Sequence, residues 1–284
     1  LVLLLMFGEV GRVFGWHWSA AVLLSLVCAG TCGWYTRSLG QPMFLFLLVL
    51  MIPLATTELG TDSWITYLME GPMKQLGLNA GWVLIYTSLI MTVLRFGAGP
   101  VVKALSPIGL LMVSSLIAIG GLLALSKSTG LSILLAATLY GVGKAYLWPT
   151  MLGVVAERFP RGGALSLNIT SAVGTMGVGV VGTVFLGMIQ DHAVETRLQR
   201  EQPALHRQIV TDKKSIFGEY TAVDPKRIAQ LDRAQQEAIQ TLASEANKSA
   251  LATVAIFPAI MLAGYGVLLL IFRARGGYSA IYLT

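Results

Sequence analysis

Seven long apolar runs separated by short, more polar turns organise the chain, at approximately 17–36, 41–68, 80–97, 107–126, 131–156, 162–188 and 250–272. At ~1.5 Å rise per residue, about twenty helical residues cross the ~30 Å hydrocarbon core of a bilayer. A backbone in lipid must satisfy its own hydrogen bonds. Unbroken runs of this length therefore predict helices rather than barrel strands, whose apolar positions alternate. Residues 1–7 are also apolar but too few to span. They lack the basic start of a signal peptide, so they read as the tail of a further span and the chain as a fragment.

The stretch 189–249 follows a different pattern. Asp224-Pro225 is a helix-start signal, with the aspartate as N-cap and the proline at the first helical position. Ile228, Leu231, Ala238, Leu242 and Ala246 then recur at helical spacing, predicting an amphipathic helix over 225–247. It reads as a lid, a partner surface or a solvated spacer on the rim. Asn247-Lys-Ser249 matches a glycosylation acceptor, a common triplet, and Asn168-Ile-Thr170 falls inside an apolar run, where the match is chance.

Composition agrees with a membrane chain. Hydrophobic residues make up 55% and charged residues 12%, half the ~25% charged share of soluble domains. Nine of the 20 Lys/Arg and nine of the 14 Asp/Glu fall between Asp191 and Lys248, leaving eleven basic and five acidic groups elsewhere, the whole net charge of +6. The pI near 9.4 thus reflects basic turns, not a nucleic-acid surface. The fold class expected is all-α: a polytopic membrane bundle of seven full transmembrane helices plus an N-terminal stub. Cys28 and Cys32 share one side of the first run and read as small packing residues.

The short turns fix an orientation. One side collects Arg37, Arg95, Lys103, Arg158, Arg161, Arg273 and Arg275, the other only Arg12, Lys74 and Lys127. Basic loops stay inside, which places the first side and the C-terminus in the cytoplasm and 189–249 outside.

Ionisable groups inside a span cost about 2.5–3.5 kcal/mol each and ask for a compensating role. Three qualify: Glu58, Asp62 and Lys144. Glu58 and Asp62 are four apart and share a helix face, with Thr57, Thr61 and Trp64 around them in Ala55-Thr-Thr-Glu-Leu-Gly-Thr-Asp-Ser-Trp64. That stretch must line a cavity or a helix interface. Counted from the cytoplasmic ends, Glu58 lies about 26 Å deep and Lys144 about 18 Å. A lysine stem bridges that gap, so the two are expected to face one aqueous cavity, with Asp62 a turn further out as an outer gate. A structural ion pair locking two helices is the plainer alternative. Pro149, with Gly141 and Gly143, predicts a kink beside the lysine.

Ser171, Thr175, Gly179, Thr183 and Gly187 form a small-residue ladder on the 162–188 run, which permits close helix approach. Asn168 is a candidate hydrogen-bonding group for a solute. Trp64, Tyr86, Tyr140, Tyr146 and Trp148 are candidates for stacking on a sugar ring, or belt and packing residues.

Two cytoplasmic turns carry a family resemblance. Arg95-Phe-Gly-Ala-Gly-Pro-Val-Val-Lys-Ala-Leu-Ser-Pro107 and Glu157-Arg-Phe-Pro-Arg-Gly-Gly-Ala164 resemble the glycine/basic loop and the Pro…Arg-Gly helix entry of the major facilitator superfamily. The chain is most similar to the C-terminal half of its sugar-transporter-like bacterial members. The resemblance implies that the seven runs are helices 6 to 12. It implies a division into 1–40, the end of the N-terminal half; 41–188 and 250–272, a six-helix bundle; and 189–249, an extracytoplasmic loop. It also implies that 41–68, 80–97, 131–156 and 162–188 face the central cavity. The family's loop carries an acid and a second arginine. Here Gly97, Gly99 and Lys103 stand without an acid, and Arg95, Glu157 and Arg161 at inner helix ends are the candidate cytoplasmic gate.

The expected function is a secondary transporter of the cytoplasmic membrane. It moves a small polar solute, a sugar or nucleoside, by alternating access, with Glu58 as the proton-coupling carboxylate. No cofactor is expected beyond H⁺, and the partners are the solute, the bilayer and the missing N-terminal half, with no nucleic acid. An organic anion transporter or uniporter of the same fold and a transport-dead sensor are rivals. A polytopic membrane enzyme is another, but His17, His192 and His206 form no ligand spacing.

Overall fold

The computed structural model describes residues 2–36, 41–62, 77, 79, 81–215 and 217–282. Of the described residues, 82% are helical. Helices α1 (Val2–Phe14) and α2 (Trp18–Thr36) pair with each other. Then follow α3 (Pro42–Ala55), α4 (Gly81–Phe96), the short α5 (Ala98–Ala104) and α6 (Pro107–Lys127). Next come α7 (Ser132–Lys144), α8 (Leu147–Arg158), α9 (Gly163–Gly177) and α10 (Thr183–Glu201). A short α11 (Pro203–Ile209) leads into an antiparallel hairpin of β1 (Val210–Ser215) and β2 (Gly218–Val223), with Val210 opposite Val223. The chain closes with α12 (Pro225–Ile228), α13 (Arg233–Val254) and α14 (Ile256–Ala274).

Among the described residues, four helical runs are long and apolar enough to cross a membrane: Pro42–Gly60, Pro107–Lys127, Pro160–Glu201 and Arg233–Ala274. The apolar parts of α2 and α4 are shorter, and the 131–156 run is two helices rather than one. The break has a local cause. Pro149 has no amide hydrogen for the Ala145 carbonyl, so the ladder cannot pass the junction between α7 and α8 unbroken. A second irregularity ends α3, where Thr56–Gly60 widens into a π turn behind Pro53. The hydroxyls of Thr56 and Thr57 donate back to the carbonyls of Ile52 (2.9 Å) and Pro53 (2.8 Å).

Two apolar clusters fill the bundle. One joins α6, α7, α10, α13 and α14 through residues such as Leu122, Tyr140, Leu186 and Phe257. The other joins α3, α6, α8 and α14 through Leu50, Met51, Leu147, Met151 and Tyr265. Glycine sets the spacing of α6 and α7. A Cβ on Gly143 would sit 2.5 Å from the Ala118 backbone nitrogen, and one on Gly121 2.6 Å from Tyr140 Cα. That close approach fixes the height at which Tyr140 and Lys144 meet the rest of the bundle.

The last two long runs are each 42 residues, about 60 Å of helix at ~1.5 Å per residue, twice the thickness of a hydrocarbon core. Their polar halves pair with each other and with the hairpin over a separate core of Val194, Leu198, Leu205, Ile209, Ile239, Leu242 and Ala246. The sequence pattern stops the sixth run at 188 and begins an amphipathic helix at 225. In the structure the former continues to Glu201, and Asp224 caps only the four-residue α12. The long helix starts at Asp232, whose carboxylate accepts from Gln235 N (2.7 Å). Tertiary burial, not membrane hydrophobicity, carries these extensions. Asn247 is buried there and offers no surface for a glycan.

Candidate functional site

Four charged side chains converge where α3 widens and α7 gives way to α8. Glu58, in the π turn, accepts through Oε1 from Arg95 on α4 (2.7 Å) and through Oε2 from the backbone amide of Trp148 (3.0 Å) in the first turn of α8. That amide is one of the orphan donors every helix start leaves, and a carboxylate is its favoured acceptor. The same arginine donates from Nε to the Ala145 carbonyl (2.8 Å), the group Pro149 leaves without a helical partner. Tyr146 extends the tie between the two helices, its hydroxyl donating to the Leu94 carbonyl (2.9 Å).

The second pair lies beside the first. Lys144 makes an ion pair with Asp62 and donates to the backbone carbonyl of Glu58 (3.3 Å). Tyr140, one turn earlier on α7, donates to the Thr57 carbonyl and meets the Thr61 hydroxyl at 2.7 Å. Thr61 also donates to Thr57 O (3.0 Å), while its own amide turns to Leu59. Two side chains one turn apart on α7 thus take over two carbonyls of the widened segment, the tyrosine that of Thr57 and the lysine that of Glu58. Each ion pair has a buried and an exposed end: side-chain exposures are 6% for Glu58 against 39% for Arg95, and 1% for Lys144 against 34% for Asp62.

The pairing differs from the one expected by counting along the helices. That count brings Glu58 and Lys144 side chains together, and the family resemblance of its loop puts Arg95 in a cytoplasmic gate. Instead the Glu58 carboxylate belongs to Arg95, and Lys144 reaches past its backbone to Asp62. Depth along 131–156 presupposes one unbroken helix, and the interruption at 145–146 removes that ruler. Two carboxylates one turn apart also occupy two layers, so each takes its own cation.

The other candidates scatter. Thr57 and Thr61 are buried in the network, and Tyr140 is buried with its ring 5.6 Å from the Lys144 ammonium, offering no face for stacking. Trp148 contributes its backbone amide, its side chain packing at the edge of the second cluster. Tyr86 bonds Thr138 (2.6 Å) on the flank of α4 and α7, and Asn168 is exposed on α9. Trp64 lies outside the described residues, as does the side chain of Lys103. Gly97 precedes α5, Gly99 is exposed within it, and Arg161 is exposed in the Pro160–Gly162 turn. Glu157 holds the C-terminal segment rather than Arg95: it accepts from the Tyr278 hydroxyl (2.6 Å), and its backbone carbonyl from Ile281 N (2.9 Å). Burial, then that bond to the carboxylate, pushes the Tyr278 phenol above its ordinary range.

Among the described residues no group of three His, Cys, Asp or Glu side chains is placed to share a metal ion. What the network can do is exchange partners. A proton on either carboxylate releases a cation, and a motion of α4 away from α3 and α8 breaks three hydrogen bonds at once, those of Arg95 to Glu58 and Ala145 and that of Tyr146 to Leu94. Comparison of the chain with family models, with curated proteins and with solved structures finds no match.

Proposed function

We propose that this chain is part of a secondary transporter that moves a small polar solute across the cytoplasmic membrane by alternating access. The observation that carries the reading is the pair of ion pairs set at a proline break and a widened turn inside an apolar bundle. Charges kept at this depth are expensive, and irregular backbone is tolerated where it lines a working site. The resemblance of the 95–107 and 157–164 turns to the major facilitator superfamily supports the same reading. So does the distribution of basic residues among the short turns, which favours a cytoplasmic C-terminus.

Coupling is assigned to Glu58, now with Arg95 as its partner. Protonation of the carboxylate frees the guanidinium and the Trp148 amide, letting α4 and α8 part and the site open to the other side. Two carboxylates, two cations and surrounding hydroxyls suit a sugar or nucleoside. The intact parent protein, in vesicles with an imposed proton gradient, tests this. Glu58→Gln is expected to abolish uphill uptake yet retain solute exchange, and unchanged uphill uptake defeats the assignment.

A further inference from the structure

We propose that the Lys144 ammonium fills a monovalent-cation site, and that Na⁺ or Li⁺ takes its place when the side chain is truncated. The groups around Nζ are those that ligate a hard monovalent ion: the Glu58 carbonyl at 3.3 Å, the Asp62 carboxylate, and the electron-rich face of Tyr140 at 5.6 Å. Oxygen ligands of this mixture, one carboxylate plus carbonyls freed where a membrane helix loses its regular ladder, are how proteins hold sodium in hydrocarbon surroundings. The carbonyl end of a helix adds its partial negative charge. In the π turn the carbonyls of Thr57 and Glu58 are both taken by α7 side chains, and only one of those, the lysine, brings a charge.

The ammonium behaves here as an ion on a tether. It is buried to 1% exposure, so it is not there for contact with water, while Asp62 keeps 34% of its side chain at the surface, where a free ion can meet its carboxylate. Truncation at Cβ vacates enough volume for the ion and a water. It leaves the Asp62 carboxylate and the Glu58 carbonyl facing that volume. The native chain, carrying its own cation, has no need of sodium there.

The test uses the purified full chain and does not depend on transport, so its failure is separate from failure of the proposed function. Thermal unfolding is followed in sodium, lithium or methylammonium chloride against N-methylglucamine chloride at equal ionic strength. The wild type is expected to melt alike in all four. Lys144→Ala is expected to melt early in N-methylglucamine and to recover with a saturable dependence on Na⁺, Li⁺ or methylammonium. Adding Asp62→Asn should raise the half-saturating Na⁺ concentration roughly tenfold or more, as loss of a charged ligand requires. Lys144→Ser, whose hydroxyl can join the ligands, should show the same recovery. A sodium shift as large in the wild type, a response that Asp62→Asn leaves alone, or both truncations remaining unfolded in every salt overturns the site.

Discussion

The apolar bundle and the polar extension both contain ion pairs, and the same chemistry carries opposite weight in each. In the extension, Arg197 on α10 pairs with Glu201 and with Glu245 on α13, and Lys213 pairs with Asp191. Each of these partners has water as an alternative, and such pairs contribute about 0–1 kcal/mol. In the bundle, Glu58 and Lys144 have none. Arg95 and Asp62 are the charges that pair with them, so the cost of separating each pair is set by its buried member. Counting salt bridges would rank the extension as the better-braced region. Ranking by which end can rehydrate reverses the order and picks out the functional candidate.

Removing the exposed end of the bundle's first pair should therefore do the greatest damage. Arg95→Ala strands the Glu58 carboxylate among apolar neighbours and leaves the Ala145 carbonyl without its donor. A loss of about 3 kcal/mol is expected, the low end for a broken buried pair because the guanidinium is partly solvated. Adding Glu58→Gln should return at least half of it, since the stranded charge is then gone. Denaturation of both variants in one detergent measures this. Equal losses in the single and double variants would mean that packing, not charge, holds α4 against α8.

A cut of intermediate size separates the regions. Asp232 caps α13 by accepting from Gln235 N, while the Gln236 side chain ties that helix start back to the Leu231 carbonyl (2.8 Å). Asp232→Ala should cost about 1 kcal/mol. The loss should stay local, raising amide exchange over the first turns of α13 and the hairpin while the amides of α6 and α7 keep their protection. Equal loosening of α6 would show that the extension and the bundle unfold as one unit.

How far these regions were legible in the sequence follows the same division. Apolar runs and their turns are a strong one-dimensional signal, so α6 is bounded correctly to within a residue by Pro107 and Lys127. Glu58, Asp62 and Lys144 stand out because nothing else ionisable interrupts those runs. Their partners did not. Arg95 sits at the end of its run and reads as an ordinary basic turn residue, and its reach to Glu58 depends on how α4 leans across α8. One clue was available: Pro149 leaves the Ala145 carbonyl in need of a donor, and Arg95 supplies it. The extension differs from its pattern for another reason: an amphipathic helix is present there, but over Arg233–Val254 rather than 225–247. Its helices are polar on most faces and gain their stability from Leu198, Ile239 and Leu242 meeting across elements distant in sequence, which periodicity within one segment cannot register.

The smallest effect belongs to Lys214 and Glu219, facing each other across the hairpin at 2.7 Å. Both side chains are largely exposed. The hydrogen bond from Lys214, then its charge, holds the Glu219 carboxyl below the ordinary glutamate range, and the same contact holds the ammonium above its own. A carboxyl titrating lower in the folded chain contributes stability above its unfolded range and loses it as pH falls through the folded one, so acid, not base, releases this pair first. In Lys214→Ala the Glu219 carboxyl resonance should titrate back in the ordinary range, and in molar salt the wild type should approach the variant, since exposed charges are screened over a few ångströms there. Melting of the bundle should not move. A melting shift comparable to that of Asp232→Ala would assign the hairpin a structural role its solvated charges do not predict.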